Sequence, residues 1–116
     1  MKKISVLFVS LAALFIFAGC SDSPKDVAVK WCGAMADGNL EKANEYSTAG
    51  MYESNRVMVE YAKKNPEQLK SKLAELKKAE EQIDGDSAKL LIDGSVITPA
   101  LTKVDGKWKV DVTEKK

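Results

Sequence analysis

The chain has 116 residues, a formal charge of +1 and no histidine. Its 18 basic and 17 acidic side chains nearly cancel and are interspersed, so the balance offers no electrostatic case for a nucleic-acid partner. Without imidazole there is no histidine acid–base catalysis, no histidine-based triad and no histidine metal ligand.

Lys2 and Lys3 precede an apolar run from Ile4 to Ala18, which closes on Gly19-Cys20 and gives way to Ser21-Asp22-Ser23. A positive start, a short apolar stretch and small residues before a polar segment are the layout of a secretory signal peptide. The run is too short for a transmembrane helix, which needs about 20 apolar residues. Phe17-Ala18-Gly19-Cys20 resembles the lipobox of bacterial lipoproteins, with Phe17 where leucine is usual. The resemblance implies cleavage before Cys20, a diacylglyceryl thioether on its sulfur and an acylated amine. One acyl chain binds a membrane marginally, whereas two or more hold stably. Ser21 stands where aspartate would retain an enterobacterial lipoprotein in the inner membrane. The resemblance therefore implies a lipid-anchored envelope protein at the outer membrane, facing the periplasm. In a Gram-positive cell it implies the outer face of the cytoplasmic membrane.

The expected organisation is a signal peptide over 1–19, lipidated Cys20 with a short tether over 20–23, one domain over 24–113, and a charged tail over 114–116. Removing Lys2 and Lys3 takes the formal charge from +1 to −1. Lipid on Cys20 leaves Cys32 without an intrachain disulfide partner. The tether of Ser21, Asp22 and Ser23 reaches on the order of 10–12 Å. The domain is thus expected close to the membrane, with Lys25 and Lys30 near the headgroups.

Ser23-Pro24-Lys25-Asp26 predicts a helix start with a capping box and proline at the first position. Ala28, Trp31, Cys32 and Met35, with Val27 and Ala34 alongside, form an apolar stripe. Asp37-Gly38 ends this helix. Asn39 caps a second, short helix over Leu40 to Tyr46, and Ser47 to Gly50 is a loop. A third helix is predicted from Met51 to Lys64, with Met51, Asn55, Met58, Tyr61 and Ala62 on one side. Asn65-Pro66 starts a fourth, in which Leu69, Leu73 and Leu76 form a stripe and the lysines and glutamates, Lys72 included, form a solvated face.

The period changes near Ala79. One strand ends near Asp84 and another starts at Ser87, with Ala88, Leu90 and Ile92 alternating against Lys89, Leu91 and Asp93. Asp93-Gly94 and Asp105-Gly106 are hairpin signals. Between them Val96, Thr98, Ala100, Thr102 and Val104 share one face, and Pro99 marks an edge strand or a bulge. Trp108, Val110 and Val112 point inward from the last strand. The expected fold class is α+β: three to four helices packed on a curved antiparallel meander of three to four strands.

The order of Ser23-Pro24 with Asp26-Val27-Ala28, then Ala34 to Ala43, Ile83 to Ala88 and Val104 to Val110 resembles a family of small bacterial lipoproteins carrying a domain of unknown function. That family is similar to the nuclear transport factor 2-like, cystatin-like superfamily. The resemblance implies a helix-covered sheet. Enzymes of that superfamily use histidine, aspartate or tyrosine in a conical pocket, and no such set is matched here. The fold hosts many unrelated functions.

Cys32 reads either as a reactive thiol or intermolecular disulfide partner, or as a small buried apolar residue. Trp31, Met35, Tyr52, Met58, Tyr61 and Trp108 read either as the lining of a pocket for a small apolar ligand or as ordinary core. Glu80-Glu81 and the Asp84/Asp86 turn lack calcium-loop spacing, so no metal site is expected. No catalytic residues and no cofactor are expected. The expected function is that of a non-catalytic accessory domain binding a small ligand or an envelope protein. Alternatives are an interaction protein that dimerises through its sheet, or an enzyme of the same fold.

Overall fold

A computed structural model describes residues 22–111. The predicted signal peptide, Cys20, Val112 and the charged tail lie outside the described residues. Four helices come first: α1 (Pro24–Ala36), α2 (Leu40–Glu45), α3 (Tyr52–Lys64) and α4 (Pro66–Lys78). Four strands follow: β1 (Glu80–Asp84), β2 (Ser87–Ile92), β3 (Ser95–Val104) and β4 (Lys107–Asp111), in one antiparallel sheet of order β1-β2-β3-β4. The class is therefore α+β, as the change of period predicts.

The ends of α1 follow from its flanking residues. Asp26 N donates to Ser23 Oγ at 3.2 Å and Ser23 N donates to Asp26 Oδ2 at 3.3 Å, closing the capping box. At the other end Gly38 N donates to Met35 O and Asn39 N to Ala34 O, at 3.0 and 2.8 Å. That double closure needs a left-handed residue, and Gly38 supplies it with φ 75°. Asn39 Oδ1 then accepts from Lys42 N and starts α2.

Pro24, Val27, Ala28, Trp31, Cys32, Ala34 and Met35 are all buried. An α-helix apolar over most of its circumference belongs inside a domain. α1 accordingly touches the other three helices and all four strands. Lys25 fastens its start. The Lys25 ammonium donates to Lys77 O and Ala79 O, at 3.1 and 3.2 Å, where α4 ends. Its backbone N–H donates to Glu81 Oε2 on β1 at 2.8 Å. A cation at a helix C-terminus and a carboxylate at a helix N-terminus both match the backbone dipoles there.

The two Asp-Gly pairs close the β2–β3 and β3–β4 hairpins. Both residues of each pair have positive φ, 53° and 83° for Asp93-Gly94 and 52° and 81° for Asp105-Gly106, as a type I′ turn requires. The inner sheet face carries Ala88 and Leu90, paired with Leu101 and Ile97, and Val110, paired with Leu101. Val96, Thr98, Ala100, Thr102 and Val104 alternate with these on the outer face, so Val96 is 61% exposed. Between Ala88 and Leu90 the pairing slips, two residues of β2 spanning four of β3. Pro99 lies in that interruption, so the bulge expectation holds while β3 itself is an inner strand.

α3 is preceded by a short 3-10 turn, Ala49–Met51, which spans the end of the predicted loop and the predicted first residue of the helix. Its buried residues are Asn55, Val59 and Ala62, with Met58 half-buried. Tyr61 is not among them. It is 45% exposed, and Val59 occupies the core-facing position instead. Four of the five expected positions, Met51, Asn55, Met58 and Ala62, face inward, and Tyr61 lies at the margin of the stripe.

Asn55 is fully buried at the junction of three helices. Its Oδ1 accepts from Trp31 Nε1 at 2.9 Å, and its Nδ2 donates to Asn44 Oδ1 at 2.9 Å and Ser47 Oγ at 3.0 Å. Indole nitrogen can only donate, so the amide orientation is fixed. Ser47 Oγ donates in turn to Ala43 O at 2.8 Å. Around Ser47 the chain joins the sheet: Val110 N donates to Tyr46 O and Thr48 N to Val110 O, at 2.7 and 2.9 Å.

Asn55→Ala leaves the Trp31 indole N–H without its partner in a buried site. The expected loss is about 2–3 kcal/mol of unfolding free energy, read by urea denaturation. A loss below about 0.5 kcal/mol, typical of a surface change, would contradict this role.

Candidate functional site

α1, α3 and α4 do not close completely over one another. They leave a groove of about 310 Å³ lined by Trp31, Cys32, Met35, Met58, Tyr61, Gln68, Leu69 and Lys72, with Thr98 of β3 at its margin. Its floor is apolar because α1 lies beneath it, and its polar groups come from the rim. Lys72 Nζ donates to Glu75 Oε1 at 3.0 Å and to Thr98 Oγ1 at 3.3 Å. An apolar trough with a few placed polar groups is the usual make-up of a small-molecule site.

Four of the six residues singled out from the sequence meet here: Trp31, Met35, Met58 and Tyr61. Trp31 and Met35 are also core, 5% and 0% exposed, so the open wall of the groove is made by Met58 and Tyr61. Tyr52 lies outside this groove, 46% exposed near the start of α3. Trp108 faces α1 from β4 and lines a different cavity. Lys72 does not belong to the solvated face predicted for it, since its side chain is only 28% exposed. The signal was legible. Lys72 lies three residues after Leu69 and four before Leu76, on the apolar stripe itself. Thr98 had no such signal, because only the packing of β3 beside α4 brings it to the rim.

Cys32 sits in the groove floor, its Sγ 3.8 Å from Leu69 O. Burial pushes its thiol up to about 11 from an ordinary value of 9.0, and the Lys72 charge opposes this only in part. The thiol is protonated at neutral pH, so nucleophilic and metal-ligand chemistry through a thiolate is disfavoured. Glu81, half of the acidic pair, is spent on the start of α1. Among the described residues no group of three or more Cys, Asp or Glu side chains is placed to hold a metal ion.

The larger cavity, about 540 Å³, lies at the other end of α1. Asp22, Val27, Glu45, Tyr46, Lys107, Trp108 and Lys109 line it. Lys30 Nζ pairs with Asp22 Oδ2 at 2.9 Å, and that hydrogen bond and charge hold the Lys30 ammonium above its ordinary pKa. Lys109 Nζ donates to Glu45 O at 2.6 Å. The Lys103 ammonium stands 5.0 Å from the Trp108 ring centre, within cation–π range.

A thiol raised in the folded state stabilises the fold below its unfolded pKa and loses that contribution as pH climbs through the folded value. Between pH 9 and 11 the parent should therefore lose stability relative to Cys32→Ala, and below pH 9 the difference should be flat; urea midpoints across this range read it. A parent-minus-variant difference that changes between pH 6 and 8 would show a thiolate instead. No protein family, curated protein or solved structure matches the chain.

Proposed function

We propose that this protein is a lipid-anchored lipoprotein of the cell envelope, held through Cys20 at the outer membrane facing the periplasm. Its domain is a non-catalytic binding module. The N-terminal layout supports the address, and the α1–α3–α4 groove supports the activity. The observation that carries the binding reading is the make-up of that groove: Trp31, Met35, Met58, Tyr61 and Leu69 form an apolar trough, with Lys72 and Gln68 at its rim. Such a lining suits a small amphiphile, its apolar body along the floor and an anionic or accepting end toward Lys72.

The non-catalytic part of the proposal rests on the chemistry available. The chain has no imidazole, and its buried thiol is held protonated. Sheet-mediated dimerisation has less behind it. The outer face sets Gln82 beside Lys89 and Thr102 beside Lys109, and charges on a sheet face or edge discourage pairing. The likeness to nuclear transport factor 2-like lipoproteins stays part of the proposal, supported by the order of helices followed by a meander.

Two measurements test it. Titrating the soluble form that starts at Ser21 with lauric acid should change Trp31 emission, and native mass spectrometry should show a one-to-one adduct. Met58→Gln, at the half-buried wall, should weaken binding about tenfold, the order expected for losing one apolar contact of 1–2 kcal/mol. No adduct and an unmoved emission spectrum would sink the groove reading. Separately, cells fed labelled palmitate should label the parent and not Cys20→Ala; label in the variant would sink the anchor.

A further inference from the structure

We propose that the cavity around Asp22 is the membrane-facing side of the domain and receives the headgroups of an anionic bilayer. This rests on the lipid anchor at Cys20. Only Ser21 stands between Cys20 and Asp22, so two residue steps span at most about 7 Å. The Cys20 glyceryl group lies at the lipid–water boundary. Whatever surface surrounds Asp22 is therefore brought to that boundary, whichever way the rest of the domain turns.

That surface has the chemistry of a headgroup site. Asp22 itself is paired with Lys30. Glu45 is the other acid of the cavity, against Lys107 and Lys109, and Lys103 adds a third cation over the Trp108 ring. Lysines close to an anionic leaflet are attracted within a Debye length. Tyr46, half-buried, and the buried Trp108 complete the lining, and an amphipathic ring such as that of Tyr46 favours the headgroup level.

The rest of the fold agrees with this seating. Lys25 joins the start of α1 to the end of α4, so the two helices run antiparallel. The start of α4 and the end of α3, with Lys64, then lie at the far end of α1. A 13-residue helix separates its ends by about 20 Å. The groove between α1, α3 and α4 reaches Met35 and Gln68, away from Asp22, and stays open to the periplasm while the tether end rests on lipid.

The test uses the processed, lipidated full chain reconstituted into phosphatidylglycerol or phosphatidylcholine vesicles. Lysines are acetylated with a brief pulse and read by peptide mass. On phosphatidylglycerol, Lys103 and Lys107 should react about fivefold more slowly than on phosphatidylcholine, the order expected for about one headgroup interaction per lysine. Lys64 should react alike on both. Lys107→Glu should abolish the difference at Lys103. Equal rates for Lys107 on the two lipids, or equal protection of Lys64, would overturn the seating. An N-terminal peptide at Cys20 without diacylglyceryl mass would overturn the anchor itself, and that failure is read from a different peptide.

Discussion

The buried amide of Asn55 holds the helical layer to itself and to the sheet. It takes the indole proton of Trp31 from α1, gives its own protons to Asn44 and Ser47, and thereby sets where the chain leaves α2. From that point Tyr46 and Thr48 exchange hydrogen bonds with Val110 and cover part of the β4 edge. A buried polar group of this kind specifies one arrangement, because every alternative leaves a donor or acceptor unpaired. Trp31 on one side of the amide lines the groove, and Tyr46 on the other lines the tether-end cavity.

α1 is the second constraint. It has the sheet on one flank and the other helices on the rest, so its side chains are small or apolar nearly all round. Its two ends are then the natural places for openings, since neighbouring elements diverge there. The groove forms toward its C-terminal half, beside the end of α3 and the start of α4, and the polar cavity forms at its start, where β4 approaches Asp22. The two openings differ in character for a local reason. The first is floored by Trp31, Cys32 and Met35, the second walled by the lysines that alternate with Trp108 on β4.

The same separation gives the functional proposal its internal logic. A tether at the start of α1, as proposed, would commit that end to the bilayer. The apolar trough is then the part of the domain left to meet something else. Cys32 fits this division, since its thiol is held protonated by the apolar surroundings and contributes packing rather than reactivity.

The boundaries of α1, the two Asp-Gly hairpins, the α4 stripe and the change from helix to strand near Ala79 were legible in the sequence. Each is a short-range matter of capping side chains, positive-φ turns and periodicity. The motif at Cys20 on which the proposed anchor rests is likewise a local pattern. The tertiary structure decided what depends on neighbours distant in the chain. It turned Tyr61 partly outward and Val59 in, drew Lys72 onto a groove rim beside Thr98, paired Asn55 with Trp31, and set Trp108 in a cavity apart from the other candidates. Sequence spacing places a side chain on a face; which face meets which partner is determined only when helices cross and strands pair, because burial and hydrogen-bond satisfaction are properties of the whole packing.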